Sequence, residues 1–226
     1  MAHLLAALTG SRSRRALLDI GRLGKSRKVK RAPGKRPAAT MTVASILWTR
    51  LDTPGHDACR LIEKHGGWEL EGTAVFVKTG MPARLDYNVA CDASWRTRWG
   101  RVRGWIGARA VDLYIARTAP GAWTLNGDEA LPSMDCVDLD LGFTPATNLI
   151  SLRRLDLPVG QRTTTFTAWL DEGAARLEVV EQVYRRQAGG AYAYEAPRFQ
   201  YKAVLDVDST GFVRRYPTLW EAITEE

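Results

Sequence analysis

At 226 residues, 45% of them hydrophobic, the chain is long enough to bury a core without disulfide or metal staples, and Cys59, Cys91 and Cys136, odd in number, far apart and forming no CxxC pair, argue against both. The net charge of +7 invites a nucleic-acid reading, but residues 1–40 hold eleven of the 32 basic residues and one of the 25 acids, which leaves residues 41–226 with a net charge of −3. No apolar run approaches the roughly 20 residues that cross a bilayer as a helix.

Residues 1–40, with RSRRALLDIGRLGKSRKVKRAPGKRP at their heart, have too little apolar content to fold alone and are expected to be a disordered basic extension. Three readings stay open: sequence ahead of a natural start at Met41, a polybasic arm, or an Arg- and Ser-rich transit peptide. HLLAAL at residues 3–8 lacks the preceding positive charge of a secretory signal. The cysteines read as small buried hydrophobes, and the expected compartment is the cytoplasm.

From Ile46 the apolar residues recur with period two, which predicts strands. HDACRLIEK, residues 56–64, is ambiguous by itself, and the Gly66-Gly67 pair after it favours a hairpin. In GWELEGTAVF, Trp68, Leu70, Gly72, Ala74 and Phe76 share one face. Tyr87 to Trp99 reads as one long strand, with Trp95 and Trp99 on a packed face and Arg96 and Arg98 opposite. After Gly100 the phase slips, as at a bulge, and Val102 and Ile106 take the arginines' parity. Asn126-Gly127 predicts a two-residue turn, because both residues accept positive φ. In VDLDLGF, Leu139 and Leu141 alternate with Asp138 and Asp140. Thr144-Pro145 predicts the start of a short helix over Ala146 to Leu155. RLEVVEQVYRR, QAGGAYAYE and RFQYKAVLDVDSTGFV read as further strands, and PTLWEAITEE as a closing helical turn. The expectation is one domain, residues 41–226, mainly β: an antiparallel, incomplete or closed barrel-like sheet with one or two short helices.

Catalytic signals are sparse. His3 lies in the extension, while His56 and His65 sit near turn glycines and read as loop residues. There is no G-x-S-x-G elbow, P-loop, dinucleotide fingerprint or metal-ligand spacing, and acids alternating on strands read as a solvated face. The expectation is a non-catalytic protein without cofactor or metal. Were it a hydrolase or isomerase of a lipid-like substrate, Asp92, Glu181 and Glu195 would be the carboxylates to inspect.

The stretches GWELEGTAV, YNVACDASWRTR, VDLDLGFTPATN followed by RRL, then LPVG, AWL, VEQVYRR, YAYE and VLDVDSTGFVRRYPTLW run in order from about Trp48 to Trp220. Together they resemble the glycolipid-binding family of bacterial proteins. Ser151 departs from the pattern, standing where the family tends to have proline before the paired arginines. The resemblance implies a β-rich fold of two similar halves, shaped like an incomplete barrel and likened to lipoprotein carriers. It also implies a lipid or glycolipid ligand held as by a carrier or sensor.

The residues offer surfaces for such a ligand. Trp95, Trp99, Trp123, Trp169, Tyr184, Tyr192 and Tyr194 supply broad faces with polar edges for an acyl chain or a sugar. Asn148 joins them, and Arg96, Arg98, Arg153 and Arg154 could fork onto phosphate or hydroxyls. The expected pose lays the acyl chain on an aromatic concave face, with the head group toward Arg153 and Arg154. Two structural alternatives compete: the aromatics as ordinary core, and Arg96 and Arg98 pairing with Asp138 and Asp140 across strands. A nucleic-acid module is the third function class, opposed by the acidic balance of residues 41–226.

Overall fold

The computed structural model describes residues 41–118, 121–131, 136–173 and 176–224. The reading of residues 1–40 lies outside them. The strands in chain order are β1 (Met41–Arg50), β2 (Gly55–Lys64), β3 (Gly67–Lys78), β4 (Met81–Asp92), β5 (Thr97–Ile106), β6 (Arg109–Arg117), β7 (Trp123–Leu125), β8 (Asp128–Leu131) and β9 (Asp138–Leu141). After the helix α1 (Asn148–Leu155) come β10 (Arg162–Leu170), β11 (Leu177–Arg186), β12 (Ala191–Ala196), β13 (Tyr201–Val207), β14 (Val213–Tyr216) and β15 (Trp220–Ala222).

These strands form one sheet in the order β8-β7-β6-β5-β4-β3-β2-β1-β15-β14-β13-β12-β11-β10-β9. It consists of two meanders. β1 to β8 run outward from the centre, β9 to β15 run back toward it, and β1 pairs with β15 through Trp48–Ala222, Thr49–Glu221 and Arg50–Trp220. Every pairing is antiparallel except β9 with β10, whose parallel connection is made through α1. The edge strands β8 and β9 do not pair as a ladder, yet the sheet curls until its far edge meets the first meander: Thr97 N–H donates to the Val137 carbonyl at 3.0 Å and Leu139 N–H to Thr97 Oγ1 at 3.0 Å.

Period-two burial accounts for the strands. Ala83, Leu85, Tyr87, Val89 and Cys91 of β4 face inward, opposite Leu70, Gly72, Ala74 and Phe76 of β3. Gly72 is needed there, because a Cβ would fall inside the Tyr87 ring. The interior is largely filled by Trp48, Trp123, Tyr87, Tyr184, Phe143 and Phe212, all essentially inaccessible. The three cysteines are buried and form no disulfide among the described residues. Among the described residues no helix is long and apolar enough to cross a membrane.

Five details correct the sequence reading. The long strand breaks at residues 93–96, where the Asp92 carboxylate accepts the N–H groups of Ser94 (2.9 Å) and Arg96 (3.0 Å) and Trp95 takes a φ of +63°. The register shift that follows turns Trp99 outward, onto Tyr114 at 6.2 Å. The helix starts at Asn148 rather than Ala146, since Thr144 Oγ1 accepts the Ala146 N–H (3.0 Å) in the turn before it. The closing segment contributes strand β15 rather than a helical turn, because its backbone pairs with β1 and β14. His56 lies on β2 rather than in a loop.

Candidate functional site

A cavity of about 460 Å³ opens in the second meander, within the range of small-ligand sites. One wall is Trp169 of β10 and Phe199, in the turn after β12, with ring centroids 5.1 Å apart. Trp169 lies flat over Gly142, where a Cβ would sit 2.8 Å from its indole nitrogen. The facing wall comes from three strands: Tyr194 of β12, Tyr201 of β13 and Tyr216 of β14, with Tyr216 centred 5.6 Å from Tyr194 and 5.4 Å from Tyr201. Trp220 and Leu219 complete the lining.

The floor is polar. Asp140 of β9 accepts Thr147 Oγ1–H at 2.8 Å on one carboxylate oxygen and Gln182 Nε2–H at 2.7 Å on the other. Behind Gln182, Tyr184 donates its hydroxyl to Oε1 at 3.0 Å, and Asn148 Nδ2 donates to that hydroxyl at 3.0 Å. Donors thus converge on one carboxylate. Burial pushes the Asp140 carboxyl up to about 6, against the two hydrogen bonds that favour its ionised form. Burial likewise raises the phenols of Tyr184, Tyr194 and Tyr216 well above their ordinary value, so they remain neutral donors.

The rim is charged. Glu172 accepts Arg50 Nη2 at 2.6 Å and Lys78 Nζ at 2.7 Å, tying the β10–β11 turn to β1 and β3. Arg50 is nearly buried between the rings of Phe76 (5.1 Å) and Trp220 (5.2 Å), and it also forks onto Asp52.

Of the residues singled out in the sequence, Asn148, Trp169 and Tyr194 line this cavity, and Tyr184 supports its floor. Trp123 is core, donating Nε1–H to the Cys136 carbonyl at 3.1 Å. Trp95 stacks on Trp68 at 4.7 Å, with Arg153 over it at 5.2 Å, and Tyr192 sits under Arg186. Arg154 forks onto Asp138 with two bonds of 2.7 Å and reaches Thr165 at 2.8 Å. Arg96 and Arg98 border a separate groove with Arg117. Their predicted pairing with Asp138 and Asp140 does not occur: α1 lays Ser151 and Arg154 on Asp138, and Thr147 and Gln182 take Asp140. Nor do Asp138 and Asp140 form a solvated face. Asp138 is wholly buried, and Asp140 looks into the cavity. Of the suggested carboxylates, Asp92 holds its turn, Glu195 pairs with Lys202 at 2.9 Å, and Glu181 is exposed.

Asp140, Gln182, Lys78, Phe199, Tyr201, Tyr216 and Trp220 also line the cavity, and the sequence names none of them as a ligand residue. The available signal was the alternation Tyr192, Tyr194 and then Tyr201, Tyr216 on neighbouring short strands, which places phenols on one wall. Among the described residues no group of three or more His, Cys, Asp or Glu is arranged to hold a metal ion.

The fold resembles the crystal structure of a DUF1089 family protein from Pseudomonas aeruginosa, determined at 1.80 Å, with a TM-score of 0.64 and 26% identity over 89% of this chain and 99% of that one. No curated protein matches the sequence. A family model described as "Putative glycolipid-binding" matches residues 45–222, a span containing every residue of the cavity, and the chain belongs to that family.

Proposed function

We propose that the domain binds the polar head group of an amphiphile, a glycolipid or similar molecule, in the Trp169–Tyr216 cavity, as a carrier or sensor and without chemical conversion. The observation that carries this reading is the pairing of aromatic walls with a hydrogen-bonding floor of Asp140 and Gln182. Sugar rings present apolar C–H faces to aromatic rings and hydroxyls to amides and carboxylates, and this lining has both. The pose differs from the sequence-based one. The concave interior is packed with its own side chains, so the head group takes the cavity and the acyl chain leaves by the exposed Phe199 rim. Arg153 and Arg154 take no part, being held against Trp95 and Asp138.

Native mass spectrometry of the purified protein followed by lipid extraction tests this, together with titration by octyl glucoside monitored through tryptophan fluorescence. Saturable binding weakened by Trp169→Ala is the expected result. Absence of any bound lipid and of any glycoside binding would overturn the proposal.

A hydrolase acting on the same head group is the second reading, favoured by one observation: Asp140, with its carboxyl near 6, shares the cavity with Asp171 and Glu172. Against it, Glu172 is neutralised by Arg50 and Lys78, and Asp171 accepts the N–H groups of Gly173 and Arg176. Turnover of chromogenic glycosides or esters that disappears in Asp140→Asn would establish the enzyme instead.

A further inference from the structure

The charge inside the cavity is lopsided. Among the described lining residues Lys78 is the single cation, facing Asp140, Asp171 and Glu172, and it is held by Glu172 at 2.7 Å. The three acids are not equivalent. Glu172 has two cationic partners, and Asp171 is bonded within its own turn. Asp140 has only the neutral donors Thr147 and Gln182, and no Lys, Arg or His of the described residues lies within ion-pair distance of it. Each of its oxygens accepts one of these bonds and keeps a second acceptor direction.

An ionised carboxylate without a counter-ion, set beneath a wall of phenol rings, repels a phosphate or carboxylate head group and attracts a cation. The rings act in the same sense, because their π faces draw an ammonium group, and Tyr194, Tyr201 and Tyr216 are clustered with centroids 5.4 to 6.2 Å apart. An ammonium also brings several donors to an acceptor that has directions to spare. A neutral sugar would leave the Asp140 charge uncompensated, at the cost that raises its carboxyl in the empty cavity.

Resting on the head-group reading above, we infer that the head group carries a protonated amine, as in an amino sugar, seated against the tyrosine wall with Asp140 as its counter-ion.

Binding should then depend on pH. The groups around Asp140 are Asp138 on its own strand, Thr147 at the start of α1, Gln182 and Tyr184 of β11, Tyr194 of β12, Tyr216 of β14, and across the cavity Lys78 of β3 with Asp171 and Glu172 after β10. Arg154 pairs with Asp138, Lys78 and Arg50 with Glu172, and Asp171 accepts backbone N–H groups of its own turn. Burial brings the Asp140 carboxyl to about 6, so weakly acidic pH protonates it and removes the counter-ion.

The test compares three probes on the full chain: octyl glucoside, its 2-amino-2-deoxy analogue, and the N-acetylated form of that analogue, which keeps the bulk and lacks the charge. At about neutral pH the amine should bind roughly tenfold or more tighter than the other two, the difference expected of a charged hydrogen bond in a half-buried site. Asp140→Asn should level the three affinities. In the unmodified protein the amine's advantage should shrink as pH falls through about 6, a measurement that needs no variant to fold. Equal affinities for the three probes, or an amine preference that survives Asp140→Asn, would overturn the inference and leave head-group binding intact. Failure of all three to bind would overturn both.

Discussion

The carboxylate of Asp57 on β2 accepts the hydroxyl proton of Thr144, 87 positions further along the chain, so that a buried acid of the first meander holds a residue at the wall of the cavity in the second. Tyr87 donates to the same carboxylate, at 3.0 Å and 3.1 Å from its two oxygens. No cation joins them among the described residues. Burial therefore dominates and pushes the Asp57 carboxyl up to about 7.

That shift fixes a stability profile. Between the unfolded value near 3.9 and the folded value near 7, the folded state holds a proton that the unfolded chain has lost, so stability falls as pH rises through this window. Asp140, raised to about 6, adds in the same direction. The melting temperature should drop between about pH 5 and about pH 8, by roughly 2–4 °C for each kcal/mol lost in a chain of this size. Asp57→Asn should flatten the profile and melt higher at the alkaline end. An unchanged slope in that variant would remove Asp57 as its source.

An arginine held inside the fold and one on the outer groove make a contrast. Arg154→Ala strands the wholly buried Asp138, and should cost about 3–5 kcal/mol in denaturant unfolding. Arg98→Ala removes one long bond of 3.4 Å to the Gly66 carbonyl on the surface, and should stay within about 0.5 kcal/mol. Equal costs for the two would show that the Asp138 site is not the stronger of them.

Gly72→Ala drives a Cβ into the Tyr87 ring, which can yield only by leaving Asp57. Overpacking of this kind costs about 1–3 kcal/mol. In combination with Tyr87→Phe, which has already lost the hydroxyl, the two effects should fall short of additivity when measured as a double-mutant cycle.

In the cavity, Trp169→Ala should weaken octyl glucoside binding by roughly tenfold, since the flat face over Gly142 is lost. Phe199→Ala should do so with little change in melting temperature, because the ring is 47% exposed. Binding unaffected by both would place the ligand elsewhere on the protein.

Period two was legible wherever one face of a strand is dry and the other wet, as in β3 and β4, and the Asn126-Gly127 turn was legible because both residues adopt positive φ, +54° and +94°. The break at residues 93–96 was not: its cause is a carboxylate bonding to backbone, and nothing in Trp95 announces a left-handed conformation. PTLWEAITEE suits a helix, but partners some 170 positions away claim Trp220 to Ala222 for the sheet, and tertiary pairing overrides local preference. Trp169, Tyr194 and Asn148 could be named as ligand residues from their chemistry. Asp140 was hidden by the expectation that an acid alternating with leucines faces water, which fails on a strand that a helix covers on one side and a cavity borders on the other.

The seam between the meanders has a consequence for how the chain comes to be folded. Apart from the β9–β10 crossover, each meander is built from hairpins of neighbouring strands that can zip up as they emerge from the ribosome, whereas the three residue pairs that join β1 to β15 must wait for Trp220 to Ala222 to be synthesised. Until then β1 presents at Trp48, Thr49 and Arg50 the ladder edge that β15 will take, beside the exposed side chain of Leu47. The nascent domain is thus most vulnerable to pairing with the wrong chain along the line where its own last strand will close it.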